Sequence, residues 1–186
     1  RVASIPEGID VAAAATIPVP FLTAIYGLKV LAGVRRGEKV LVHAATGGVG
    51  MAAVQLCRRW GVEVYATASP PKWEVLREQG LSDDRIASSR TTEFGDRFGD
   101  AGIDVVLDAF TGEMVDAGLS LLGAGGRLIE IGKRDVRDPE AVAREYPGVI
   151  YRAFDLMEAG PDRIGEMLGE VVECLGRGEL GPLPTE

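Results

Sequence analysis

Among the 186 residues, the run Ala45-Thr46-Gly47-Gly48-Val49-Gly50 carries the clearest chemical signal. It reads as GxGxxG with alanine at the first glycine, and Ala44, Gly47 and Gly50 fit AxxGxxG equally well. The pattern gains weight from its context, because it follows a strand-like run and opens a helical one, as dinucleotide binding requires. Gly47 would let the backbone approach a pyrophosphate, and Gly50 would let helix and strand pack closely. The loop from Thr46 through Gly48 and Val49 would lead into a helix N-terminus that offers amide donors and the positive end of a dipole. The alternative is a tight turn with no ligand.

About 20 residues further on, an NAD site usually places a carboxylate against the ribose 2′-hydroxyl. Here the chain reads Ala66-Thr67-Ala68-Ser69-Pro70-Pro71-Lys72, with no acid. Ser69 and Lys72, with Arg90 beyond, suit a 2′-phosphate instead, so NADPH is expected over NADH. Lys72 or Arg90 taken singly also fits a solvated helix start.

Other chemistries are poorly supplied. Cys57 and Cys174 lie far apart in apolar-periodic stretches and read as buried structural thiols of a reducing, cytoplasmic compartment. His43 is the one histidine, so neither a zinc cluster nor a nucleophile-base triad is expected. It ends a strand-like run and reads as a satisfied structural residue. With 20 basic and 28 acidic residues the net charge is −8, which argues against a nucleic-acid backbone or an anionic membrane as partner. No basic-then-apolar secretory signal is visible at the N-terminus. The uncharged stretch 11–28 approaches the length of a spanning helix, but Pro18 and Pro20 divide it, and a buried linker followed by a helix is expected.

The elements needed to position these residues are legible from periodicity. Helices are predicted over 21–31, 51–60, 70–79, 112–122, 139–146 and 161–175, and strands over 39–44, 63–68, 85–88, 103–108, 126–131 and 149–154. A polar segment separates the third and fourth strands. Strands alternating with helices imply right-handed crossovers. The fold class is therefore α/β, a doubly wound Rossmann-type sheet of six mostly parallel strands, with the glycine loop where the strand order reverses.

Taken together, several runs resemble the enoylreductase domain of modular type I polyketide synthases, zinc-independent medium-chain dehydrogenase/reductases. They are Leu41-Val-His-Ala-Ala-Thr-Gly-Gly-Val-Gly-Met-Ala-Ala-Val-Gln-Leu56, Ala66-Thr-Ala-Ser69, Ser88-Ser-Arg90, Gly125-Gly-Arg127, Ile131-Gly-Lys-Arg-Asp-Val-Arg137 and Tyr151-Arg-Ala-Phe-Asp-Leu156. The glycine loop is shared with quinone oxidoreductases and animal fatty acid synthase, whereas Gly-Lys-Arg-Asp-Val-Arg favours the polyketide family. The resemblance implies NADPH-dependent reduction of an α,β-unsaturated thioester on an acyl carrier protein, with neighbouring synthase domains as partners. It places Lys133 as a proton donor and Asp155 as its associated carboxylate. Thr23 falls near the nicotinamide and pyrophosphate, Ala109 and Phe110 on the nicotinamide side, and Ile131 and Gly132 beside the lysine at the cofactor edge. Lys133 also fits a simple anion contact, and Asp155 a helix cap or salt bridge. The chain departs from the commoner Asn-Ser-Leu in having Asp108-Ala109-Phe110; the aromatic ring either narrows the pocket or fills core.

By the same resemblance, residues 1–186 form an NADPH-binding subdomain, and the substrate-binding lobe lies outside this chain. A quinone or free-enone oxidoreductase, and a non-catalytic module retaining the fold, are the alternatives.

Overall fold

Runs such as Val40-Leu41-Val42 and Val105-Val106-Leu107 are apolar at consecutive positions, which suits strands covered on both faces. In the computed structural model, which describes residues 2–185, such runs form a six-stranded sheet. The strands are β1 (Lys39–Val42), β2 (Glu63–Ala68), β3 (Ile86–Ser88), β4 (Ile103–Asp108), β5 (Leu122–Glu130) and β6 (Ile150–Ala153). Their order is β3-β2-β1-β4-β5-β6 and every pairing is parallel. The order reverses between β1 and β4, so the crevice of a doubly wound sheet opens at their carboxyl ends.

Helices α1 (Val11–Ala15), α2 (Pro18–Ile25), α3 (Gly48–Trp60), α4 (Trp73–Glu78), α5 (Glu93–Phe98), α6 (Glu113–Ser120), α7 (Pro139–Glu145) and α8 (Gly160–Gly176) cover the sheet. Alternate strand residues feed two cores. Val40, Val42, Val105 and Leu107 pack with Phe21, Leu28, Val54 and Val171, while Leu41 and Val106 pack with Phe94, Phe98, Val115 and Leu119.

The structure departs from the sequence expectation in instructive places. The first strand stops at Val42, and Ala44 then turns into left-handed backbone with φ of 49°. Asp10 caps α1 inside the expected linker, accepting from Ala13 N–H. Its successor α2 starts at Pro18, three residues before the expected position, because proline is well suited to a first helical turn. Beyond α2, Tyr26–Leu31 winds as a π-helix, with Ala32 N–H donating to Gly27 O at 2.9 Å. A Cβ on Gly27 would lie 3.2 Å from the Phe154 ring, so the widened turn sits directly on the end of β6. The stretch Val11–Leu31 is long and apolar enough to cross a membrane, yet it is bent at Thr16 and Ile17 and packs α2 against α3 and α8. Thr16 Oγ1 accepts from Leu183 N–H at 3.1 Å, and Gln55 clamps Gly181 by both its amide atoms.

Two further differences have plain causes. The polar segment after β3 contains α5, whose Phe94 and Phe98, four residues apart, are fully buried while its charged residues face outward. Strand β5 begins at Leu122 rather than 126, through a register shift opposite Ile103 and Val105 that admits Gly125 at φ of +86°. Residues 70–72 form a separate 3₁₀ turn ahead of α4. Helix α3 opens at Gly48, three residues before the expected position, and other boundaries move by at most two residues.

Because Phe94 anchors α5 from a fully buried position, Phe94→Ala should lower stability by about 3–5 kcal/mol. Urea unfolding of the chain measures this, and an unchanged midpoint would show that α5 is not part of the cooperative core.

Candidate functional site

The loop between β1 and α3 is held by Thr67 of β2 and by its own backbone. Ala44 N–H donates to Thr67 Oγ1 at 3.2 Å, Ala45 N–H to Thr67 O at 2.8 Å, and Gly47 N–H to Ala44 O at 2.8 Å. Gly47 is the N-cap of α3 and supplies no side-chain acceptor, which leaves the first-turn amides of a 13-residue helix for an external anion. Gly47 and Gly48 are exposed, and Thr46 and Val49 half-buried. A Cβ at Gly50 would fall 2.5 Å from Ala44 O and from Ala45 Cα, so only glycine allows this close approach. Pro20 of α2 lies against Gly48, and Thr23, one turn further along α2, is half-buried. This cradle fits a dinucleotide pyrophosphate.

The carboxyl ends of β2 and β3 form the adjoining rim. Ala68 and Ser88 are register partners, Ser89 N–H donates to Ala68 O at 3.0 Å, and Arg90 N–H to Ser88 Oγ at 3.1 Å. Lys72 N–H donates to Ser69 O at 2.8 Å. Ser69, Lys72 and Arg90 thus gather at one end of the sheet. The Lys72 and Arg90 side chains are exposed, and neither pairs with a carboxylate among the described residues.

On the other side of β1, Lys133 Nζ and Asp155 Oδ2 form an ion pair at 2.5 Å, with the side chains 76% and 48% exposed. Asp155 also caps the 3₁₀ turn Leu156–Ala159, accepting from Met157 N–H at 2.9 Å. The Lys133 hydrogen bond, then that of Met157, holds its carboxyl below the usual range. The turn carrying Lys133 is tied down by residues from the Gly-Lys-Arg-Asp-Val-Arg run. Asp135, at φ of 58°, accepts from Gly112 N–H at 2.7 Å. Arg137 donates to Gly112 O at 2.9 Å and pairs with Asp116, and its N–H reaches Tyr151 Oη at 3.0 Å.

Phe110 does not stand free in the cleft: its ring stacks on His43 with centroids 4.4 Å apart, beside half-buried Ala109. Ile131 is half-buried and its N–H donates to Asp108 O at 2.9 Å. His43 is only partly satisfied, since its Nε2 is buried with no partner among the described residues. Its Nδ1 donates to Asp108, which sits in register with Glu130, and all three are buried. Sequence reasoning passed over Asp108 and Glu130. The signal was there in polar residues closing three otherwise apolar strand runs.

A family model described as zinc-binding dehydrogenase matches residues 48–174. The chain belongs to the zinc-binding dehydrogenase family. Within that family it belongs with the enoylreductase domains of polyketide synthases. It is 59% identical to the pikromycin polyketide synthase component PikAII of Streptomyces venezuelae over 99% of this chain and 5% of that protein. The crystal structure of CurK enoyl reductase superposes with a TM-score of 0.94 at 42% identity, over 100% of this chain and 57% of that one. The nucleotide-binding subdomain of the enoylreductase domain of PpsC from Mycobacterium tuberculosis matches with a TM-score of 0.78 at 33% identity, over 89% of this chain and 97% of that one. The chain thus spans a small fraction of the synthase and just over half of the CurK reductase. Despite the family name, the residues do not fit zinc: among those described, no three His, Cys, Asp or Glu gather as a ligand set, and both cysteines are buried thiols.

Gly50→Ala should cost about 1–3 kcal/mol, since the added methyl meets backbone that cannot swing aside. Thermal unfolding of the variant checks this, and a stability equal to wild type would mean that α3 can recede without penalty.

Proposed function

We propose that this chain supplies the NADPH-binding half of a reductase that saturates an α,β-unsaturated acyl thioester borne by an acyl carrier protein during polyketide chain extension. The observation that carries the reading is spatial. One carboxyl edge of the sheet presents an uncapped glycine cradle, a rim with two cations unpaired among the described residues, and an exposed Lys133–Asp155 pair.

The first-turn amides of α3 would hold the pyrophosphate, and Gly47 and Gly48 would leave it room. Ser69, Lys72 and Arg90 would take the 2′-phosphate by charge-assisted hydrogen bonds. Thr23, Ala109, Ile131 and Gly132 would border the nicotinamide, with Phe110 contributing through the His43 stack. When bound, the reduced nicotinamide supplies the hydride that saturates the β-carbon. The α-carbon then needs a proton, and Lys133 Nζ is the group on this chain that carries one at the cleft. Asp155 keeps that ammonium aimed, because its own carboxyl is fixed by Met157 N–H. The partner lobe would close the cleft and exclude water, so this chain alone should bind coenzyme yet turn over slowly.

Two measurements test this. In calorimetric titrations of the chain, NADPH should bind more tightly than NADH, and Lys72→Ala or Arg90→Ala should each weaken NADPH about tenfold while sparing NADH. Equal affinity for the two coenzymes would remove the 2′-phosphate assignment. In the reductase containing this chain, Lys133→Ala should lower kcat on a carrier-bound enoyl thioester about 100-fold with little change in KM, and Asp155→Asn should lower it less. Normal turnover in both variants, or a preference for free quinones, would refute the mechanism.

A further inference from the structure

His43, Asp108 and Glu130 close the three central strands β1, β4 and β5 and are only 3%, 0% and 0% exposed. Burying three ionisable groups is costly unless each polar atom finds a partner. Most do. His43 Nδ1 donates to Asp108 Oδ1, Phe110 N–H approaches Asp108 Oδ2 at 3.4 Å, and Gly132 N–H donates to Glu130 Oε1. Two atoms are different: His43 Nε2 and Glu130 Oε2 are buried and face no partner among the described residues. An oxygen so placed is satisfied by carrying a proton itself, and the Asp108 carboxylate, alongside in the sheet register, is the acceptor within reach.

We infer that Glu130 is a positioning residue, which as a neutral acid donates to Asp108, accepts from Gly132 N–H, and so fixes the turn that presents Lys133 to the cleft. The assignment depends on the role given to Lys133 under the proposed function. Gly132 shows how tight the arrangement is, since a Cβ there would collide with Glu130 Oε1. The groups facing Glu130 are Asp108 from β4, His43 from the end of β1, Tyr151 from β6 and Asp135 from the turn itself, with Arg137 hydrogen-bonded to Tyr151 through its main chain. No lysine or arginine pairs with Glu130 among the described residues, so the Gly132 N–H is left to offset a second negative charge beside Asp108. Burial first, then the hydrogen bond and charge of Asp108, pushes Glu130 up to about 9. Burial works against ionisation of Asp108 as well, but the hydrogen bond and charge of His43 outweigh it and keep Asp108 below its usual value. The sign for Glu130 follows. Its contribution to stability is complete below the ordinary glutamate range, declines as pH rises, and is lost once the folded state ionises near pH 9.

The test follows thermal unfolding and exchange protection of the Gly132 amide, relative to a free peptide, in this chain from neutral to alkaline pH, together with kcat and KM of the reductase containing it. Wild type should lose several degrees of Tm as pH rises toward about 9 and level off beyond it, and should lose protection at Gly132 and most of its kcat as pH passes about 9. Glu130→Gln donates and accepts as the neutral acid does, so it should retain protection and neutral-pH kcat while losing the alkaline decline. Asp108→Asn donates to an ionised Glu130 and should also abolish the decline. Glu130→Ala should lower kcat about tenfold at steady KM and leave Gly132 unprotected; if it fails to fold, the two isosteric variants still decide. An alkaline decline in Glu130→Gln equal to that of wild type, or full protection of Gly132 in Glu130→Ala, overturns the inference. Normal turnover of Lys133→Ala would overturn the reading of the site instead, an outcome kept separate because protection and Tm do not depend on turnover.

Discussion

A Cβ on Gly50 would press into the carbonyl oxygen of Ala44 and the Cα of Ala45, which means that α3 can begin where it does only because position 50 has no side chain. The same carbonyl receives Gly47 N–H, and Ala44 adopts left-handed backbone to present it. A single steric permission therefore sets the distance between the end of β1 and the start of α3. That distance determines whether helix amides can face an anion at the crevice where the strand order reverses. Thr67 secures the arrangement from β2, and Pro20 seals it from α2.

From this point the carboxyl edge divides by chemistry. Toward β2 and β3 it is cationic and open, with Lys72 N–H bonded to Ser69 O and Arg90 N–H to the Ser88 hydroxyl. Toward β5 and β6 it carries an exposed ion pair above a buried polar cluster. The two halves share the parallel sheet as their ruler, because each strand ends at a height fixed by its register with the next. A ligand lying across both halves would be measured against a rigid frame rather than a flexible loop.

Much of this was legible in the sequence, for physical reasons that differ from place to place. The strands were visible because doubly covered parallel strands are continuously apolar, and the loop because glycine alone tolerates its contacts. Lys133 and Asp155 were found through resemblance, and the structure pairs them. Helix α5 escaped notice because only Phe94 and Phe98 face inward, too few apolar positions to outweigh Glu93, Asp96 and Arg97. The π-helical turn escaped because its cause is tertiary, the seating of Gly27 on Phe154. His43, Asp108 and Glu130 were hidden by treating each as a lone polar residue. Their meaning depends on register across strands, which separation along the chain does not reveal.

The π-helical turn has a bearing on how such reductases could be recombined. Gly27 touches the ring of Phe154, the residue immediately before Asp155, while Pro20 touches the glycine loop and Thr16 holds the returning segment at Leu183. Residues 16–31 are thus wedged between both halves of the edge, although they precede the first strand of the sheet. A chimera grafted at β1 would inherit the complete Rossmann topology together with a foreign wedge, and its Asp155 would be set by contacts selected in another enzyme. The exchangeable unit is the sheet together with this preceding stretch, so junctions for swapping belong ahead of α1.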